Sequence, residues 1–70
     1  MIPTGFIEVT YKGGPSILLR TRQIKKIHGN DVCATIYMIG DEETYHVQEP
    51  LKEVCEKIVL AEICENRGLQ

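Results

Sequence analysis

Thr44-Tyr45-His46-Val47-Gln48-Glu49-Pro50-Leu51-Lys52-Glu53-Val54-Cys55-Glu56-Lys57-Ile58 is the stretch in which the hydrophobic period of the chain changes. Up to Gln48, Tyr45 and Val47 face opposite to Thr44, His46 and Gln48, the period-2 pattern of a half-buried strand. Beyond it, Leu51, Val54, Cys55, Ile58 and Ala61 recur at spacings of three and four, which makes an apolar stripe along one side of a helix. Pro50 has the fixed φ and missing N–H that suit a first helical position, and Gly68 suits the left-handed residue just past a helix end. A helix is therefore expected from about Pro50 to Gly68.

Working back from this switch, the segments are strand-like and separated by turn chemistry. Phe6-Ile7-Glu8-Val9-Thr10-Tyr11 alternates Ile7, Val9 and Tyr11 against Phe6, Glu8 and Thr10,. Lys12-Gly13-Gly14-Pro15 supplies residues that accept positive φ and a proline that suits the first position of the next strand, Ser16-Ile17-Leu18-Leu19-Arg20. Thr21-Arg22-Gln23 reads as a short turn. Ile24-Lys25-Lys26-Ile27-His28 is ambiguous, because isoleucines three apart share a helical face but point oppositely in a regular strand. After Gly29-Asn30-Asp31, Val32-Cys33-Ala34-Thr35-Ile36-Tyr37-Met38-Ile39 is rich in β-branched and aromatic residues and is expected to be a central strand. Gly40-Asp41-Glu42-Glu43 then closes a second hairpin. The expected fold is α+β: one domain over residues 1–70, an antiparallel β-meander of four to five strands followed by one C-terminal helix packed on the sheet.

Seventy residues leave room for one small core, and 43% hydrophobic with 26% charged residues is an ordinary globular balance,. No apolar run approaches the roughly 18 residues that span a bilayer, and the amino terminus lacks the basic region and long apolar stretch of a signal peptide. We expect a soluble, cytoplasmic protein with no membrane insertion. Cys33, Cys55 and Cys64 are odd in number and share no CxxC spacing, so a disulfide framework is not expected,. Small domains without bridges or metals commonly turn to oligomerisation.

The helix carries a second apolar set, Val59, Leu60, Ile63 and Cys64, off its main stripe. A helix on a single sheet buries one side, and each Val, Leu or Ile brought out of water is worth about 1.5–3 kcal/mol. These four residues are the candidate protein interface, and a homodimer is the expected use. A second candidate surface is basic. Residues 1–40 hold five basic against two acidic residues, a balance of +3, whereas residues 41–70 hold eight acidic against three basic, a balance of −5. Arg20, Arg22, Lys25 and Lys26 concentrate the positive half and form the candidate polyanion contact, the basis of an alternative reading as a nucleic-acid-binding regulator. Against it stand the pI of about 5.6 and the lack of aromatic residues interleaved with these cations in the sequence.

Chemistry-bearing motifs are few. His28, Cys33 and His46 come from separate segments at no recognised ligand spacing, so no metal or other cofactor is expected. Gly13-Gly14 has neither the lysine nor the following helix of a phosphate cradle. No residue set suggests a catalytic nucleophile with its base, and the protein is not expected to be an enzyme.

The order Phe6-Ile7-Glu8-Val9-Thr10, glycine turn, Ile17-Leu18-Leu19, Gln23-Ile24-Lys25-Lys26-Ile27, Thr35-Ile36-Tyr37-Met38, Thr44-Tyr45-His46-Val47-Gln48-Glu49 and Val54-Cys55-Glu56-Lys57-Ile58 resembles the small bacterial FlbD/SwrD-like proteins. The resemblance covers most of the chain. It implies an association with flagellar operons and swarming motility and assigns no catalytic residue. Met1-Ile2-Pro3-Thr4 before the first strand, and a longer and more apolar helix end, set this chain apart from that pattern. Taken together, the expected function is that of a non-enzymatic protein-interaction or assembly module.

Overall fold

The computed structural model describes residues 2–66, with side chains as far as Cys64. Strands β1 (Phe6–Thr10) and β2 (Ser16–Arg20) form an antiparallel hairpin in which Phe6 lies opposite Arg20 and Thr10 opposite Ser16. Its turn is closed by the Gly14 N–H donating to the Tyr11 carbonyl (3.0 Å) and the Tyr11 N–H donating to the Pro15 carbonyl (2.9 Å). Gly13 sits at φ +77° there, a conformation with a steric cost for residues bearing a Cβ,. Residues Thr21–Gln23 make a single 3₁₀ turn. Strands β3 (Ile24–Gly29), β4 (Ala34–Met38) and β5 (Thr44–Val47) then form an antiparallel meander with β4 in the middle, and helix α1 runs over Leu51–Asn66.

The α+β class and the central position of β4 follow the sequence pattern, but the five strands do not form one sequential meander. They make a two-stranded and a three-stranded sheet. The 3₁₀ turn separates β2 from β3, and it is pinned to the start of β1 because the buried Thr21 donates both its N–H (2.9 Å) and its Oγ1 (3.2 Å) to the Gly5 carbonyl. The sheets join instead between the first strand and the last. Tyr11 bridges Val47, the Lys12 N–H donates to the His46 carbonyl (3.0 Å), and the Gln48 N–H donates to the Thr10 carbonyl (2.9 Å). Both carboxylate oxygens of the half-buried Glu49 accept from the Thr10 N–H, at 2.9 and 3.1 Å.

The ambiguous Ile24–His28 segment is a strand with an irregular register. Ile24 lies opposite Met38, but Lys26 lies opposite Tyr37, so Lys25 is the extra residue of a bulge,. The bulge resolves the spacing conflict: Ile24 and Ile27 both pack on the core, while Lys25, Lys26 and His28 are exposed.

The core comprises Ile7, Val9, Leu19, Ala34, Ile36, Met38, Val47 and Val54. Helix α1 closes it by touching β1, β3 and the 3₁₀ turn. Its packed stripe is the fully buried Val54 with Ile58 and Ala61, and Leu51 is half-buried at the start of the helix. Cys55, expected within this stripe, is exposed. It stands about 100° round the helix from Val54, turned away from β1, β3 and the 3₁₀ turn that the helix touches,. The start of the helix is anchored to the β3–β4 turn, where the Asn30 carbonyl accepts from the Leu51 N–H (3.0 Å) and Asn30 Oδ1 accepts from the N–H groups of Val32 (2.8 Å) and Cys33 (3.1 Å). The expected helix end at Gly68 lies outside the described residues.

Two substitutions test this account by urea unfolding. A Cβ on Gly29 would stand 2.8 Å from the Cys33 carbonyl oxygen and 2.9 Å from the Ala34 Cβ. Gly29→Ala is therefore expected to cost about 1–3 kcal/mol by forcing β3 and β4 apart, and a neutral result would contradict the close pairing. Glu49→Ala strips the Thr10 N–H of its acceptor and is expected to cost about 1–2 kcal/mol, with Glu49→Gln recovering part of the loss.

Candidate interaction surfaces

The outer side of α1 carries the four residues singled out as an interface. Val59, Leu60 and Ile63 are 53, 63 and 43% exposed, and Cys64 is exposed beside them. They follow from the same helical geometry as the buried stripe: with Val54, Ile58 and Ala61 turned inward, the intervening apolar positions must face out. The N-terminal segment extends this surface. Ile2, 47% exposed, Pro3 and Phe6 form one side of a groove of about 310 Å³ whose other side is Leu60, Ala61 and Cys64, with Glu8 and Lys57 also lining it. On its far side Leu60 borders a more open depression shared with Lys52, Cys55, Glu56 and Val59. Leu60 is thus the ridge between two hollows. The contribution of Ile2 and Pro3 was not signalled by the sequence, since it depends on the N-terminal segment running alongside the end of α1.

The four basic residues are distributed over three successive elements, β2, the 3₁₀ turn and β3. Arg20, at the end of β2, places its guanidinium 4.8 Å from the centroid of Phe6, its cross-strand partner. Lys26 places its Nζ 4.7 Å from the centroid of Tyr37, across β3 and β4. Arg22 is exposed on the 3₁₀ turn and Lys25 at the bulge. Two of the cations therefore lie on aromatic rings, an interleaving that the linear sequence hid because each ring belongs to a neighbouring strand.

The residues considered as metal ligands lie apart in role. His46 is tied to two hydroxyls, its Nδ1 3.1 Å from Thr35 Oγ1 and its Nε2 3.4 Å from Thr44 Oγ1. His28 meets Tyr37 edge-on at 5.3 Å, and Cys33 is a half-buried free thiol. Among the described residues, no group of three His, Cys, Asp or Glu side chains is placed to hold a metal ion. Nor is any helix among them long and apolar enough to cross a membrane. Comparisons with protein-family models, with curated proteins and with solved structures find no match.

Tyr45 has a displaced titration. Its hydroxyl donates to Asp41 Oδ2 (3.0 Å), and that hydrogen bond, reinforced by the negative charge of Asp41, raises the phenol above its usual value. The neutral phenol is the form favoured by folding, so its contribution is present below the ordinary phenol pKa and is lost as pH rises through the higher folded value. Ring-carbon NMR of Tyr45 across alkaline pH should show the late titration, and Asp41→Asn should return the midpoint towards that of a free phenol.

Proposed function

We propose that the protein is a non-enzymatic interaction module that self-associates through the outer side of α1, as a homodimer in the cytoplasm. The observation that carries this reading is the exposure of Val59, Leu60 and Ile63 on one helix face, continuous with Ile2 across the adjoining groove. A 70-residue chain has a thin stability margin, and several large aliphatic side chains in water forgo a large part of what a second layer would contribute,. Pairing two copies of the same patch about a two-fold axis covers it with its own complement, the commonest solution among soluble oligomers. Lys52, Glu53, Glu56, Lys57 and Glu62 flank the apolar positions along the helix and supply a polar rim,. The resemblance to FlbD/SwrD-like proteins supports placing such a module beside the bacterial flagellar machinery, as an accessory to motility.

Sedimentation velocity tests the self-association. The wild-type chain is expected to sediment as a dimer at micromolar concentration, and Leu60→Asp to sediment as a monomer with an unchanged circular dichroism spectrum. A wild-type chain that remains strictly monomeric at high micromolar concentration, or a Leu60→Asp variant that associates as before, would overturn it.

A further inference from the structure

The outer face of the three-stranded sheet is built by the bulge at Lys25. By moving Ile24 and Ile27 inward together, it turns Lys26 and His28 outward, in register with the outer residues of β4 and β5. The result is a grid of two rows, Lys26–Tyr37–Thr44 and His28–Thr35–His46, about 7 Å apart along the strands,. All six side chains bear a hydrogen-bond donor and none is a carboxylate. At its centre the half-buried Tyr37 ring has Lys26 Nζ over it at 4.7 Å and the His28 ring against it at 5.3 Å.

We infer that this face binds single-stranded nucleic acid, with Tyr37 and His28 as stacking surfaces for bases and Lys26 as a phosphate contact. Aromatic rings beside cations on a sheet are the combination by which single strands are held without reading their sequence. A duplex keeps its base faces stacked inside and cannot offer them to Tyr37. The cation–π contact of Lys26 is weak at an exposed site, and its four-carbon stem lets the ammonium swing from the ring to a phosphate when a base takes its place. Charge complementarity favours one edge of the sheet. Lys25 and Lys26 lie on β3, one edge strand, whereas Asp41, Glu42 and Glu43 occupy the turn that leads into β5, the other edge strand. The polyanion is therefore expected to follow the β3 edge. The reading does not depend on self-association, because the grid lies on the opposite side of the sheet from the core.

Fluorescence anisotropy of the full chain with labelled single-stranded RNA and DNA of mixed sequence, and with the matching duplex, tests it at low salt. Single strands should bind more tightly than the duplex. Tyr37→Ala should weaken binding about tenfold while Tyr37→Phe retains it, and Lys26→Gln should lower the slope of log affinity against log salt by about one. Should Tyr37→Ala fail to fold by circular dichroism, the exposed pair Lys26→Gln and His28→Ala carries the same test. With a strand too short to reach two copies, Leu60→Asp should leave the affinity unchanged. Absence of single-strand binding would overturn the inference. So would equal binding of duplex or of heparin, which has no bases, together with indifference to Tyr37→Ala and to the Lys26→Gln and His28→Ala pair.

Discussion

The junction between the first and last strands is the constraint on which the remainder depends. Neither sheet could stand alone: β1–β2 is a two-stranded hairpin, marginal by itself in water, and β3–β4–β5 has one face to cover,. The Tyr11–Val47 bridge, the flanking Lys12–His46 and Thr10–Gln48 hydrogen bonds and the Glu49 carboxylate on the Thr10 N–H tie them together. Glu49 is followed immediately by Pro50, whose carbonyl accepts the first helical hydrogen bond, from Val54. The same few residues therefore join the sheets and launch α1 onto β1 and β3. Stacking of Tyr11 on Tyr45, 6.1 Å between ring centroids, reinforces the seam from the side.

This closure explains the character of the core. Its fully buried side chains are aliphatic: Ile36, Val9, Val47 and Val54. Strands of four to six residues and a helix that contributes Val54, Ile58 and Ala61 enclose a small interior filled by branched side chains of moderate size. The aromatic residues, excluded from the centre, lie half-buried at the seam or on the outer faces, where Phe6 and Tyr37 pair with Arg20 and Lys26. A small core then cannot absorb the whole apolar content of α1. The outward set Val59, Leu60 and Ile63 is the remainder, on the side of α1 turned away from Val54.

Much of this was legible in the sequence where period alone decides. Alternation placed Ile7, Val9 and Val47 inside, and the spacing of three and four in the helix separated Val54 and Ile58 from Val59 and Leu60. Turn chemistry at Gly13 and Gly40, both at positive φ, fixed the hairpins. What was not legible depends on pairing between distant segments. Nothing in the residues near Tyr11 announces that it meets Val47, so the break between β2 and β3 and the joining of β1 to β5 could not be derived. Cys55 was misplaced because the sequence does not state how wide a stripe the sheet can cover. The exposure of Val59, Leu60 and Ile63 was recoverable, since they share one helix with the buried Val54. The company of Tyr37 was not, because Lys26 reaches it only through a one-residue shift of register.

That shift shows how one local irregularity can set both faces of a sheet. In a regular strand Ile24, Lys26 and His28 would share a side, and Lys25 and Ile27 the other, so each face would carry a mixture of cation and aliphatic group. A charged ammonium turned towards Ile36 and Val54 would need a partner that the aliphatic core does not contain. Bulging at Lys25 removes that cost, gives the core two isoleucines, and gathers Lys26 and His28 around Tyr37 in the same step. Requirements of packing and the polar grid outside are therefore coupled through a single residue of backbone. With α1 on the inner side of the strands and the grid on the outer side, association through the helix would leave the grid of each copy open. A two-fold pair would then present two such grids on one particle, and a flexible strand long enough to reach both would gain from their effective concentration without any new contact.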